Sequence, residues 1–162
     1  MEKVNETRRD REYLRALFVL KAHEKPAGPS DLSDLMDVSR VGALQKMRKI
    51  EELGYGEYIE NKGLLLNDEA IEVIREDIEK HHLLEEFFRE SLDMEEEEAC
   101  KESSLIQPFV GSRLIQKIYD EFEEELDCVC GNCINPEMNT DPNDLYQCHW
   151  FKKKFSLLQS KS

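Results

Sequence analysis

No run of about 18 apolar residues occurs in the chain, so no membrane span is expected. The opening stretch, MEKVNETRRDREYL, carries charge where a secretory signal has an apolar region, which predicts a cytoplasmic protein. No internal repeat is visible. Ser/His/Asp or Cys/His arrangements, glycine-rich phosphate loops and paired-carboxylate signatures are all missing, so no enzyme is expected. The glutamate runs at 95–98 and 121–125 read as solvated helix faces. Net positive charge is also lacking. A value of −14 argues against indiscriminate nucleic-acid binding, although net charge is not local charge. Cysteine is scarce, five in 162 residues, yet four of the five fall between positions 128 and 148. In a compartment that keeps thiols reduced, such a cluster reads as metal or iron–sulfur ligands before it reads as disulfides.

What the chain does have is helical periodicity. The charged fraction of 36% points to long solvated helices because the apolar residues recur at helical steps. Residues 7–24 form the first expected helix, ended by Lys25-Pro26-Ala27-Gly28-Pro29. Ser30 is the expected N-cap of a short second helix, and Asp37-Val38-Ser39 a tight turn in which Ser39 caps a third helix over about 40–53. Val41, Leu44, Met47, Ile50 and Leu53 mark its apolar spacing, and Gly54 suits its C′ position. Two short apolar runs around Asn61-Lys62-Gly63 predict a hairpin. Asn67 caps a fourth helix reaching about 91, with Ile71, Ile74, Ile78, Leu84 and Phe87 inward. A fifth helix covers about 94–107, stopped by Pro108. A sixth runs from Ser112 to about Leu126, and a short terminal helix is expected in HWFKKKFSLL.

Helix, short helix, turn, basic helix and hairpin is the order of a winged helix–turn–helix. In that motif the second helix of the pair enters the major groove and its N-terminal side chains reach base edges. Ser39, Arg40, Gln45 and Lys46 stand there; glutamine pairs with adenine and arginine with guanine. The window 38–50 holds Arg40, Lys46, Arg48 and Lys49 and no acid. Lys46, Arg48, Lys49 and the wing residue Lys62 are expected on phosphates, which supply affinity more than sequence information. The competing reading is an ordinary solvated basic helix.

The stretches REYLRALFVL, DLSDLMDVSRVGALQKMRKIEELGY, KGLLLN and KHHLLEEFF together resemble the diphtheria toxin repressor family, metal-dependent dimeric repressors that include manganese transport regulators. The resemblance covers residue 11 to about residue 120. It implies a mainly α fold with a small β wing: a winged helix–turn–helix over 1–67 and a helical dimerisation region over 68–126, to which this chain adds a Cys-rich segment over 127–162. It also implies a homodimer reading a pseudo-palindromic operator in double-stranded DNA, with divalent iron or manganese permitting DNA binding. The family's principal metal site follows a pattern like E-A-C-x-x-E-H, aligned here with residues 102–108. Ser104, Gln107 and Pro108 then stand where ligands are needed, so this site is expected to be lost, with only Glu12 of the first helix able to coordinate. An ancillary site maps onto His81 and Glu85, one turn apart, and Cys100. The alternative there is a hydrogen-bonded buried histidine beside an inert thiol.

The C-terminal cysteines, Cys128, Cys130, Cys133 and Cys148, with His149 as a substitute or addition, are the expected second centre. Three close cysteines and one remote cysteine are a common way to hold a [4Fe–4S] cluster. Tetrahedral Zn²⁺ is the alternative, although C-x-C-x₂-C is not the usual pair of zinc knuckles. A thiol redox switch is the third reading. The expected function is a regulator of metal, chiefly iron, homeostasis controlled through these cysteines. A purely structural zinc staple is the competing role.

Overall fold

The computed structural model describes residues 5–122. Six helices and one hairpin follow in order: α1 (Arg8–Val19), α2 (Pro29–Met36), α3 (Arg40–Glu52), β1 (Gly56–Ile59), β2 (Gly63–Leu66), α4 (Asp68–Leu92), α5 (Glu96–Ile106), a 3₁₀ turn (Gln107–Phe109) and α6 (Ser112–Phe122). Two compact units divide within α4, between Ile74 and Arg75. The expected C-terminal helix, the far end of the sixth helix and all four clustered cysteines lie outside the described residues.

In the N-terminal unit, α1 buries Tyr13, Leu14, Leu17 and Phe18, joined in the core by Leu32, Met47, Ile50, Leu64 and Ile74. Its start is a capping box. Thr7 accepts from the Asp10 amide and Asp10 accepts from the Thr7 amide, so each satisfies a backbone donor of the first turn. Its end comes five residues earlier than the 7–24 expectation. Lys21 turns to φ 60°, and the Lys21 and Ala22 amides return to the Phe18 and Leu17 carbonyls at 2.9 and 3.0 Å. That closing pattern stops the helix before any proline is reached. The second helix also starts differently from the expectation. Gly28 is its N-cap and Pro29 its first residue, because proline's missing N–H costs nothing at that position.

The other local signals hold. Ser39 Oγ accepts from the Gly42 amide at 3.0 Å. Gly54, at φ 87°, closes α3 in left-handed geometry, and its amide donates to the Glu51 carbonyl at 2.9 Å. Asn67 Oδ1 accepts from the Ala70 amide at 3.1 Å, while Asn67 Nδ2 donates to the Gly54 carbonyl.

The wing is a two-stranded antiparallel ladder pairing Gly56 with Leu66 and Ile59 with Gly63. Its root extends through Ala27, whose amide and carbonyl both bond Leu64 at 3.0 Å. A Cβ on Gly63 would sit 1.9 Å from the Ala27 carbonyl oxygen, and Gly63 has φ 123°. Backbone meets backbone here, so no larger residue fits.

The second unit contains the rest of α4 with α5 and α6. Leu83, Leu84 and Ile118 form its apolar cluster, flanked by Phe87, Phe88, Ile106, Ile115 and Phe122. Among the described residues no helix is long and apolar enough to cross a membrane.

Gly63→Ala should therefore lose about 2–4 kcal/mol, from the strained φ and the overlap with Ala27. Urea unfolding monitored by circular dichroism measures it, and the neighbouring exposed change Lys62→Ala should cost less than about 0.5 kcal/mol.

Candidate functional site

The first half of α3 presents Ser39, Arg40, Val41 and Gln45 to solvent. Arg40, Val41 and Leu44 line a groove of about 520 Å³ together with Gly28, Pro29 and Ser30 and the wing residues Tyr58, Glu60, Asn61 and Lys62. Arg40 and Lys62 have no ion-pair partner among the described residues. Val41, which the apolar spacing assigns to the inner stripe, is 65% exposed. The reason is its position at the second residue of the helix, where the turn before α3 leaves the first turn uncovered.

The remaining basic residues of α3 are held by carboxylates of the same unit. Lys46 Nζ lies 2.8 Å from Asp10 Oδ1, and Lys49 Nζ lies 2.5 Å from Asp10 Oδ2. Asp10 is fully covered. Burial by itself raises its carboxyl, but hydrogen bonds from Lys46, Lys49 and Thr7 outweigh that and hold it well below the usual carboxylate range. The Lys46 ammonium also sits 5.4 Å from the centre of the Tyr13 ring. Arg48 stacks 3.9 Å over Tyr58 and donates to Glu60 at 2.5 Å and Glu51 at 3.4 Å. Glu6 accepts from both Arg11 and the Tyr55 hydroxyl, fastening the start of the chain to the segment after α3.

The second cluster lies within α4 and α5. His81, Glu85 and Cys100 are buried, and their ligand atoms lie within 4.8 Å of one another. His81 Nε2 is 3.3 Å from Glu85 Oε2 and 3.5 Å from Cys100 Sγ. A tetrahedral ion with bonds of about 2.0–2.1 Å to N and O and about 2.3 Å to S has N···O edges of about 3.3 Å and N···S edges of about 3.5 Å. The two edges from His81 thus fit a divalent cation, and they also fit hydrogen bonds to the imidazole. Among the described residues this is the one such group of three or more metal-ligating side chains.

The residues aligned with the principal-site pattern make protein contacts or face solvent instead. Ser104 Oγ donates to the Cys100 carbonyl at 3.0 Å, and Gln107 Nε2 donates to the Asp77 carbonyl at 2.9 Å. Pro108 is exposed. Glu12 is near Arg8 and Arg9, at 3.6 and 3.9 Å. The buried face of α5 suggests a second register for the pattern, because E-A-C stands literally at Glu98-Ala99-Cys100. Ser103 and Ser104 then occupy the Glu and His positions. In either register those two ligand positions hold neither carboxylate nor imidazole.

Residues 7–64 match the model of the iron-dependent repressor N-terminal DNA-binding domain. Residues 67–136 match the model of the iron-dependent repressor metal-binding and dimerisation domain. The chain belongs to the iron-dependent repressor family. An HTH-type transcriptional regulator of Methanocaldococcus jannaschii is 21% identical over 108 residues, 66% of this chain and 86% of that protein. The crystal structure of a hypothetical protein from Sulfolobus solfataricus superposes with a TM-score of 0.71 at 18% identity, over 80% of this chain and 99% of that one. ScaR with bound Zn²⁺ gives 0.67 at 21% identity, over 80% of this chain and 61% of its own. IdeR of T. acidophilum gives 0.58 at 23% identity, over 85% and 64% respectively. This chain therefore spans less than two thirds of the length of ScaR or IdeR. These likenesses establish a shared fold. The second family match passes Cys128, Cys130 and Cys133 and stops before Cys148.

Three features escape sequence reasoning: the inward pairing of Lys46 and Lys49, the exposure of Val41, and Ser103. The last is fully buried, and its Oγ has no hydrogen-bond partner among the described residues. Its place one turn from Cys100 on the covered face of α5 is the signal that could have found it. Ser103→Ala should leave thermal stability unchanged or raise it by up to about 1 kcal/mol, since it removes a desolvated hydroxyl. A loss above that, read by calorimetry of metal-free protein, would reveal a partner for the hydroxyl.

Proposed function

We propose that this iron-dependent repressor is a homodimeric, double-stranded-DNA-binding transcriptional regulator of metal homeostasis, controlled by metal held in its C-terminal half. The observation that carries the reading is the coincidence of two features. An exposed, unpaired reading edge lies in the region matching a DNA-binding domain. A buried His81–Glu85–Cys100 cluster lies in the region matching a metal-binding and dimerisation domain.

At the reading edge, Arg40 and Gln45 supply hydrogen bonds to base edges, and Val41 supplies an apolar contact of the kind that fits a thymine methyl. Lys62 supplies a phosphate contact from the wing. A symmetric dimer presents two such edges, hence a pseudo-palindromic site.

At the cluster, imidazole, carboxylate and thiolate form a mixed donor set that suits Zn²⁺ or Fe²⁺ better than Mn²⁺, since thiolate is the soft ligand. The bound ion would neutralise the buried Glu85 carboxylate and require Cys100 as thiolate and His81 neutral at Nε2. A second centre, a [4Fe–4S] cluster or Zn²⁺ on Cys128, Cys130, Cys133 and Cys148 with His149 nearby, rests on sequence spacing alone.

Gln45→Ala should cost about 1–3 kcal/mol on an operator recovered from random duplexes and relax base preference at one position per half-site. Lys62→Ala should weaken operator and scrambled DNA alike and flatten the salt slope by about one. Fluorescence anisotropy over a salt series measures both, and an equal loss on both duplexes for Gln45→Ala would remove it from base reading.

With Cys128, Cys130, Cys133 and Cys148 replaced by serine, cobalt titration reports the buried cluster alone. One Co²⁺ per chain with thiolate charge-transfer absorbance is expected, and Cys100→Ser should abolish that absorbance. Co²⁺ binding without thiolate absorbance while Cys100 is still present, or thiolate absorbance unchanged in His81→Ala, would sink the assignment. For the native chain purified anaerobically, about four iron and four sulfide per chain would mark the cluster, and about one zinc that is lost when the four C-terminal cysteines become serine would mark the staple.

A further inference from the structure

We propose that Asp10 is a positioning residue for DNA recognition: its buried carboxylate withholds Lys46 and Lys49 from phosphate, so that α3 meets DNA through Arg40, Val41 and Gln45. This rests on the DNA-binding reading above.

The carboxylate is divided between two cations. Oδ1 takes Lys46 and Oδ2 takes Lys49, at 2.8 and 2.5 Å. It is anchored from its own side as well. The Thr7 amide and hydroxyl donate to Oδ2 at 2.8 and 2.7 Å, and the Asp10 amide donates back to Thr7 Oγ1. Asp10 cannot follow the lysines outward without undoing the start of α1. For the lysines to reach phosphate they would have to abandon a carboxylate with no exposure to water, while their own side chains are only 22% and 28% exposed. A surface phosphate offers them no comparable gain, because every phosphate contact is opposed by salt and by the solvation of both partners.

The arrangement has a chemical effect on selectivity. Affinity for any duplex, whatever its sequence, comes from cations on phosphates. Three of the four cations of α3 are satisfied internally, Lys46 and Lys49 by Asp10 and Arg48 by Glu60 and Glu51. The fourth, Arg40, stands at the end of the helix that reaches base edges. On a chain of net charge −14, this leaves little sequence-independent attraction, so stable binding requires correct base contacts.

The test is the slope of log affinity against log salt on the recovered operator and on a scrambled duplex. Asp10→Asn should steepen the slope by up to about 1.8, roughly 0.9 for each released lysine, and bring scrambled DNA closer to the operator in affinity. A merely structural role for Asp10 would lower affinity on both duplexes at constant slope, and that result would overturn the proposal. The triple variant Asp10→Asn/Lys46→Gln/Lys49→Gln carries no unpaired buried charge, which protects its folding. It should return to the wild-type slope. If instead it falls about 1.8 below wild type, the lysines already sit on phosphate in the native complex and Asp10 withholds nothing. This variant decides the matter even if Asp10→Asn alone fails to fold. Failure of the wild-type chain to bind any duplex would remove the DNA-binding reading, and this assignment with it. Binding with the wrong slopes would remove the assignment alone.

Discussion

The reading head depends on one buried carboxylate. Asp10 closes the capping box of α1 and receives two ammonium groups from α3, so the first and third helices are fixed by the same pair of oxygen atoms. Removing one partner of such a half-buried set costs about 2–3 kcal/mol, between the figures for exposed and fully buried pairs. Arg48 does the corresponding work toward the wing, lying over Tyr58 and bonding Glu60. Helix orientation and wing orientation are thus set by cations that simple charge counting would assign to DNA.

Local chemistry was legible in the sequence. Ser39 and Asn67 as caps, Gly54 as a helix terminator and the hairpin around Asn61-Lys62-Gly63 each depend on neighbours within a few residues, and each stands as read. Errors arose where a second solution competed locally. Lys21 closes α1 in a left-handed turn before Pro26 is reached, and Pro29 displaces Ser30 as the starting point of α2. The partners of Lys46 and Lys49 were illegible for a different reason. Asp10 lies 36 and 39 residues away in sequence, and nothing in a basic run declares which of its charges turn inward. Val41 follows the apolar spacing of its helix, yet periodicity does not say where along a helix the cover ends.

The candidate metal cluster shows the same mixture. His81 and Glu85 share a face of α4 because they are four residues apart, and that much is written in the sequence. That Cys100 approaches them requires the packing of α5 on α4. Family membership explains why a metal centre belongs in this half of the chain, while the residues themselves depart from the family pattern. Serines occupy two ligand positions in the register favoured by burial. Donor atoms that would have gathered a second ion are replaced by groups that bond backbone carbonyls or have no partner.

The close approach of Gly63 to Ala27 has an evolutionary consequence. Because the wing root is backbone against backbone, position 63 can hold only glycine, whereas Asn61 and Lys62 at the tip are exposed and constrained by little except the turn. Descendants of this sequence can therefore drift at the tip without disturbing the scaffold that aims it. Substitutions should accumulate in the two codons of the tip while the one beside them stays fixed.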